Sequence, residues 1–255
     1  MRFAPACYFW LAMLIAFPLP ATAEDFRIET KVYAGKAKAP VSENITLFQA
    51  GYVYDYLSEP ERIAVFDQPH GRFILLDPEH KMKAEVKTDK VLEFASRLKD
   101  LVGKNSSAFM KFAADPEFET SFSEGGELTM ESKFITYQMK TEPAQTPQAA
   151  DQYRDFSDWY ARFNAMTNPG STPPFARLAV NEQLAERGLV PTEVQLTINA
   201  QTSLAARAVT MRSEHHYSWR LLQRDIERIA ETANQLATFR TVELSELQPK
   251  TTTRR

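Results

Sequence analysis

The chain has 255 residues, with 30 Lys and Arg against 33 Asp and Glu and a net charge of −3. That balance gives no electrostatic basis for binding nucleic acid or an anionic membrane surface. A single cysteine, Cys7, excludes an internal disulfide, and His70, His80, His215 and His216 are too few and too scattered to mark a metal site.

Residues 1–23 read as a cleavable secretory signal. Arg2 is the only charge before Glu24, and the apolar run Tyr8–Phe17 is shorter than the roughly 20 residues a membrane span needs. Pro18 and Pro20 break that run, and Ala21-Thr22-Ala23 supplies the small residues a signal peptidase accepts. The expected location is therefore periplasmic or secreted, with cleavage near Ala23 and no transmembrane segment in the mature chain. Cleavage also removes Cys7, which lies before the apolar run rather than after it, the wrong side for lipidation.

From Phe26 to Lys87 the apolar residues recur with period two. Lys81–Lys87 alternates without error, and Leu47–Leu57 carries Phe48, Tyr52, Tyr54 and Tyr56 at even positions, with a bend expected at Gly51. Ile63–Phe66 and Phe73–Leu76 are denser apolar runs separated by turn-forming residues. Connections this short predict an antiparallel meander. Val91 to Val102 then shows helical spacing, and Ser106–Asp115 suits a second short helix. Period two returns over Phe118–Ser123, Leu128–Lys133 and Phe134–Lys140. Thr141–Ala150, with Pro143 and Pro147, reads as a loop inside one domain. Helices are expected over Ala150–Met166 and Phe175–Arg187, two strands after Pro191, and a last helix over Leu222–Phe239. The predicted fold class is α+β: a strongly curved antiparallel sheet with helices packed on one face. The expected organisation is a signal at 1–23, a single domain at 24–248 and a disordered tail at 249–255.

Catalytic signatures are mostly missing, and no catalytic residue, metal ligand or cofactor is assigned. Ser96-Arg97-Leu98-Lys99 matches S-x-x-K, yet it sits mid-helix, and neither partner motif of the penicillin-interacting serine enzymes follows it. His215 and His216 point to opposite faces of their strand, which makes His215 a hydrogen-bonded histidine on an apolar face. Asp151, Asp155 and Asp158 form an acidic helix stripe of the kind that is usually solvated. The candidate ligand-binding residues are Phe48, Tyr52, Tyr54 and Tyr56, a broad apolar surface with polar tips.

Pro60-Glu61-Arg62-Ile63, Phe73-Ile74-Leu75-Leu76-Asp77-Pro78 and Gly188-Leu189-Val190-Pro191 resemble strand starts and turns of the lipoprotein-carrier superfamily of the bacterial periplasm, the LolA/LolB-like half-barrel. The resemblance spans roughly Phe26–Val86 and departs from the family at Ile63, where relatives carry an aromatic, and in an additional C-terminal helix. It implies a curved sheet with helices on its concave side and acyl chains bound between them. The expectation is an exported, non-enzymatic protein that binds an apolar ligand, with a lipid or lipidated protein as partner. An envelope hydrolase with an unidentified nucleophile and a non-catalytic scaffold are the alternatives.

Overall fold

Alternation carries the first third of the chain into strands, and short polar turns fold them back on one another. The computed structural model describes residues 24–168, 171–199 and 208–247. The expected signal segment 1–23 and the tail 249–255 lie outside those residues. Strands β1 (Phe26–Ala34), β2 (Ser42–Gln49), β3 (Tyr52–Leu57), β4 (Arg62–Asp67), β5 (Arg72–Asp77) and β6 (Met82–Lys87) form an antiparallel meander. Two of its turns use the same device: Asp67 accepts hydrogen bonds from the backbone and ring of His70, and Asp77 does the same for His80.

Helices α1 (Thr88–Asp100) and α2 (Ala108–Ala114) follow; the Ser107 hydroxyl caps α2 by accepting from Met110 N at 3.2 Å. A second meander comprises β7 (Glu119–Phe122), β8 (Glu127–Glu131) and β9 (Ile135–Pro143). Helices α3 (Pro147–Thr167) and α4 (Phe175–Ala185) lead to β10 (Leu189–Ile198) and β11 (Val209–Ser218). Pro191 lies inside β10 beside a register irregularity, the position in a strand where a missing N–H is tolerated. Helix α5 (Gln223–Thr238), the two-residue β12 (Arg240–Thr241) and α6 (Leu244–Leu247) end the described chain.

The strands form one curved, open sheet in the order β12-β6-β5-β4-β3-β2-β1-β11-β10-β9-β8-β7. Antiparallel pairing of β1 with β11 joins the two meanders; only the short β12–β6 pair is parallel. The α+β class with a curved antiparallel sheet is what alternation predicts. The inner face carries Phe26, Ile28, Phe48, Val53, Phe66, Phe73 and Val86, covered by Tyr153, Phe156 and Phe163 of α3 and Val91 of α1. Further along the same face, Leu128, Tyr137, Met139 and Val194 pack against Ala176, Val180 and Leu184 of α4.

Helix placement differs from the one-face expectation in one element. Helix α5 packs on the outer face, where Ile229 joins a buried cluster with Leu47, Tyr54, Tyr56, Ile63, Val65, Ile74 and Leu76. Its N-terminal end is pinned by Arg27, which is 1% exposed and reaches Asp225 at 3.5 Å. Asp225 also accepts from Leu222 N at 2.8 Å, closing the first turn. Among the described residues no helix is long and apolar enough to cross a membrane.

Candidate ligand-binding cleft

The tyrosine surface expected from the sequence splits across the sheet. Ala50 and Gly51 both have positive φ, 49° and 82°, and they reverse the chain in a two-residue turn where a single long strand with a bend was expected. The resulting register pairs Phe48 with Val53 and Leu47 with Tyr54. Paired residues share a face, so Phe48 lies on the inner face while Tyr52, Tyr54 and Tyr56 lie on the outer one.

Phe48 is filled-in core, stacked on Phe26 at 4.0 Å between centroids and met edge-on by Phe156 at 5.5 Å. Tyr56 is closed over by α5: its hydroxyl lies 2.9 Å from Thr232 Oγ1 and the Arg228 guanidinium sits 4.5 Å over its ring. Burial pushes the Tyr56 phenol up to about 12. Tyr52 and Tyr54 border an outer depression of about 320 Å³, shared with Arg72, Lys83 and Leu236. The four residues therefore do not form one site.

The open sheet–helix cleft lies elsewhere on the inner face, at the seam of the two meanders. It has a volume of about 470 Å³, within the roughly 300–1,000 Å³ usual for small-molecule sites. Its sheet wall comes from Val32, Tyr137, Val194, Leu196 and Met211, and its helix wall from Phe156, Tyr160 and Ala161 of α3. Thr172–Pro174, between α3 and α4, forms one rim.

A row of polar groups crosses four strands, and its Thr30 and His215 end lines this apolar cleft. Thr30 faces His215 on one side and Asn44 on the other in the strand register. His215 Nδ1 lies 3.0 Å from Thr30 Oγ1, and its Nε2 lies 2.9 Å from Ser213 Oγ. Farther along, Asp55 accepts from Asn44, from Thr46 at 2.7 Å and from Tyr160 of α3 at 3.1 Å. Burial raises the Asp55 pKa, and these three donors offset part of that rise. Tyr160 is pushed well up, first by the Asp55 charge and then by burial.

Arg177, on α4, supplies the cleft with a positive charge. Its Nη2 donates to Tyr153 Oη at 3.0 Å, its one side-chain hydrogen bond among the described residues. Burial opposes the guanidinium, but the phenols of Tyr153, Tyr137 and Tyr217 outweigh it and raise the Arg177 pKa, with no carboxylate among the causes. Arg212 also borders the cleft, but its guanidinium is bound to Glu214 and lies 4.2 Å over the Tyr33 ring.

Ser213 beside His215 has the outline of a nucleophile–base pair, and its electrostatics oppose that use. Burial, reinforced by the Arg177 charge, lowers the His215 pKa to about 3. Such an imidazole is a weak base, and a hydroxyl occupies the place where a carboxylate would stabilise an imidazolium. The neutral ring instead acts as a fixed donor and acceptor between two hydroxyls.

The remaining candidates are structural. Ser96 and Lys99 are exposed on α1, with Lys99 Nζ 4.6 Å over the Phe175 ring. Asp151 and Asp155 face solvent, while Asp158 accepts from Asn181 at 2.8 Å and ties α3 to α4. His216 is exposed, and no group of three or more His, Cys, Asp or Glu among the described residues is placed to hold a metal ion. The cleft residues Thr30, Ser213, Tyr160 and Arg177 were not singled out from sequence. Thr30 and Ser213 leave a trace there, as polar interruptions of the Phe26-Ile28-Val32 and Met211-Tyr217 faces. Arg177 leaves none, since one arginine on an amphipathic helix is unremarkable. A scan against protein-family models finds no match to the chain, and a search of curated proteins finds no relative.

Proposed function

We propose that this is an exported protein, periplasmic or secreted, that binds an apolar ligand in the cleft between the inner sheet face and α3–α4. The observation that carries this reading is the cleft itself: an opening of about 470 Å³ in a face that is otherwise packed shut by aromatic side chains. Its walls are mainly apolar, with a few convergent polar groups at fixed positions, the composition that suits a small-molecule site. The signal-like segment supports export, and a sheet with helices seated on its inner face is the arrangement that the resemblance to lipoprotein carriers implies.

The test is saturable binding of a neutral apolar probe, N-phenyl-1-naphthylamine, to the chain followed by fluorescence. Leu196 faces the cleft across from Met211, so Leu196→Trp fills the space with an indole. One probe is expected to bind per chain, and binding is expected to fall about tenfold or more in the variant. The absence of saturable binding to the unmodified chain, or equal binding to the variant, sinks the reading.

A further inference from the structure

We propose that the ligand of this cleft is an amphiphile with a free carboxylate, its head held by the Arg177 guanidinium and its tail laid along Val194, Leu196 and Met211. This rests on the cleft reading above and adds the chemistry of the head.

The argument starts from charge. Arg177 is half-buried at the cleft, and a guanidinium partly withdrawn from water gains from an anion placed against it. Arg177 is set among Tyr153, Tyr137 and Tyr217, with a single hydrogen bond to a phenol and no carboxylate bearing on it among the described residues. It lines the cleft, so the missing anion has a place to sit.

The number of charges narrows the class. Arg212 contributes to the lining, but its side chain is held by Glu214 and Tyr33 on the opposite face, and His215 is neutral. One guanidinium without a carboxylate partner matches a monoanion, and its planar fork matches a carboxylate with two parallel hydrogen bonds. The apolar wall adjoining it then selects a tail over a small polar acid. A chain esterified to a lipidated protein has no charge at this point and would leave Arg177 unpaired, so the geometry favours a free fatty acid over an acylated partner.

The experiment displaces bound N-phenyl-1-naphthylamine with palmitate and, separately, with hexadecanol, which has the same tail length without the charge. Palmitate is expected to compete about tenfold or more better than the alcohol, the usual worth of a charge-assisted hydrogen bond. In Arg177→Gln the acid-to-alcohol ratio is expected to fall to about one, and Arg177→Lys should restore part of it. A purely structural Arg177 would alter stability without altering the acid-to-alcohol ratio. Equal competition by acid and alcohol in the unmodified chain overturns the carboxylate head and leaves the cleft reading standing. Failure of the probe to bind at all removes the cleft reading first. The comparison of the two ligands needs no variant, so poor folding of Arg177→Gln does not shield the proposal.

Discussion

His215 makes stability depend on pH through a single ring. Its pKa in the fold is about 3, against an ordinary 6.5, because burial and the Arg177 charge disfavour the imidazolium. Between those values the unfolded chain takes up a proton that the folded chain refuses, so stability falls as pH drops from 6.5 toward 3. The slope from this residue reaches about 1.4 kcal/mol per pH unit. Asp67 and Asp77 act in the same direction at lower pH. Burial alone raises both carboxyls, but hydrogen bonds from His70 and Arg72, and from Arg62 and His80, outweigh it and hold them below the usual range. Their contribution is present above the unfolded carboxylate pKa and is lost as pH falls through the depressed one. Urea denaturation of His215→Gln at pH 7, 5.5 and 4.5 should therefore show a flatter decline than the unmodified chain; parallel declines refute the assignment. The strand period made His215 legible as a histidine on an apolar face. Its partner Thr30 lies 185 positions away, and no local pattern names a contact at that distance.

The β2–β3 hairpin and α5 decide which side chains can cooperate. The tyrosines and Phe48 all sit at even positions, so the expected common face holds only if the strand runs on through Gly51. A tight turn at Ala50-Gly51 reverses the parity and sends Phe48 inward. The apolar side of α5 was readable from its spacing, but its docking face was not. A clue lay in Ile63–Phe66 and Phe73–Leu76, which are apolar without alternation, as strands buried on both faces are. Ile229, 7% exposed, is the helix residue seated in the outer cluster. Ile229→Ala should lower unfolding free energy by about 2–4 kcal/mol through the cavity it leaves. Tyr56→Phe should lower it by only about 1 kcal/mol, since Thr232 Oγ1 keeps its bond to Arg228 O at 2.9 Å. Denaturant midpoints measure both, and an Ile229→Ala loss below that of Tyr56→Phe contradicts the docking of α5 on this face.

At the scale of the whole molecule, the cleft is built across the seam that holds the two meanders together. Its walls combine Thr30 and Val32 of β1, Met211, Ser213 and His215 of β11, Leu196 of β10, Tyr137 of β9 and residues of both α3 and α4. These positions converge only once β11 has paired with β1, a contact between strands far apart in the chain, Thr30 and His215 being 185 positions apart. This explains why individual elements were legible in the sequence while the cleft was not: every wall is local, and the space between them is a product of topology. It also means that a ligand of the cleft binds the folded state and has no counterpart site in the unfolded chain. Mass action then stabilises the fold by about 2.7 kcal/mol when free ligand reaches a hundred times its Kd. For a chain of this size that corresponds to a rise in Tm of roughly 5–10 °C. Thermal unfolding with increasing palmitate should show this rise in the unmodified chain and lose it in Leu196→Trp, in which the cleft is filled. An equal rise in both would place the fatty acid on some other surface, and the seam would then be a structural joint alone.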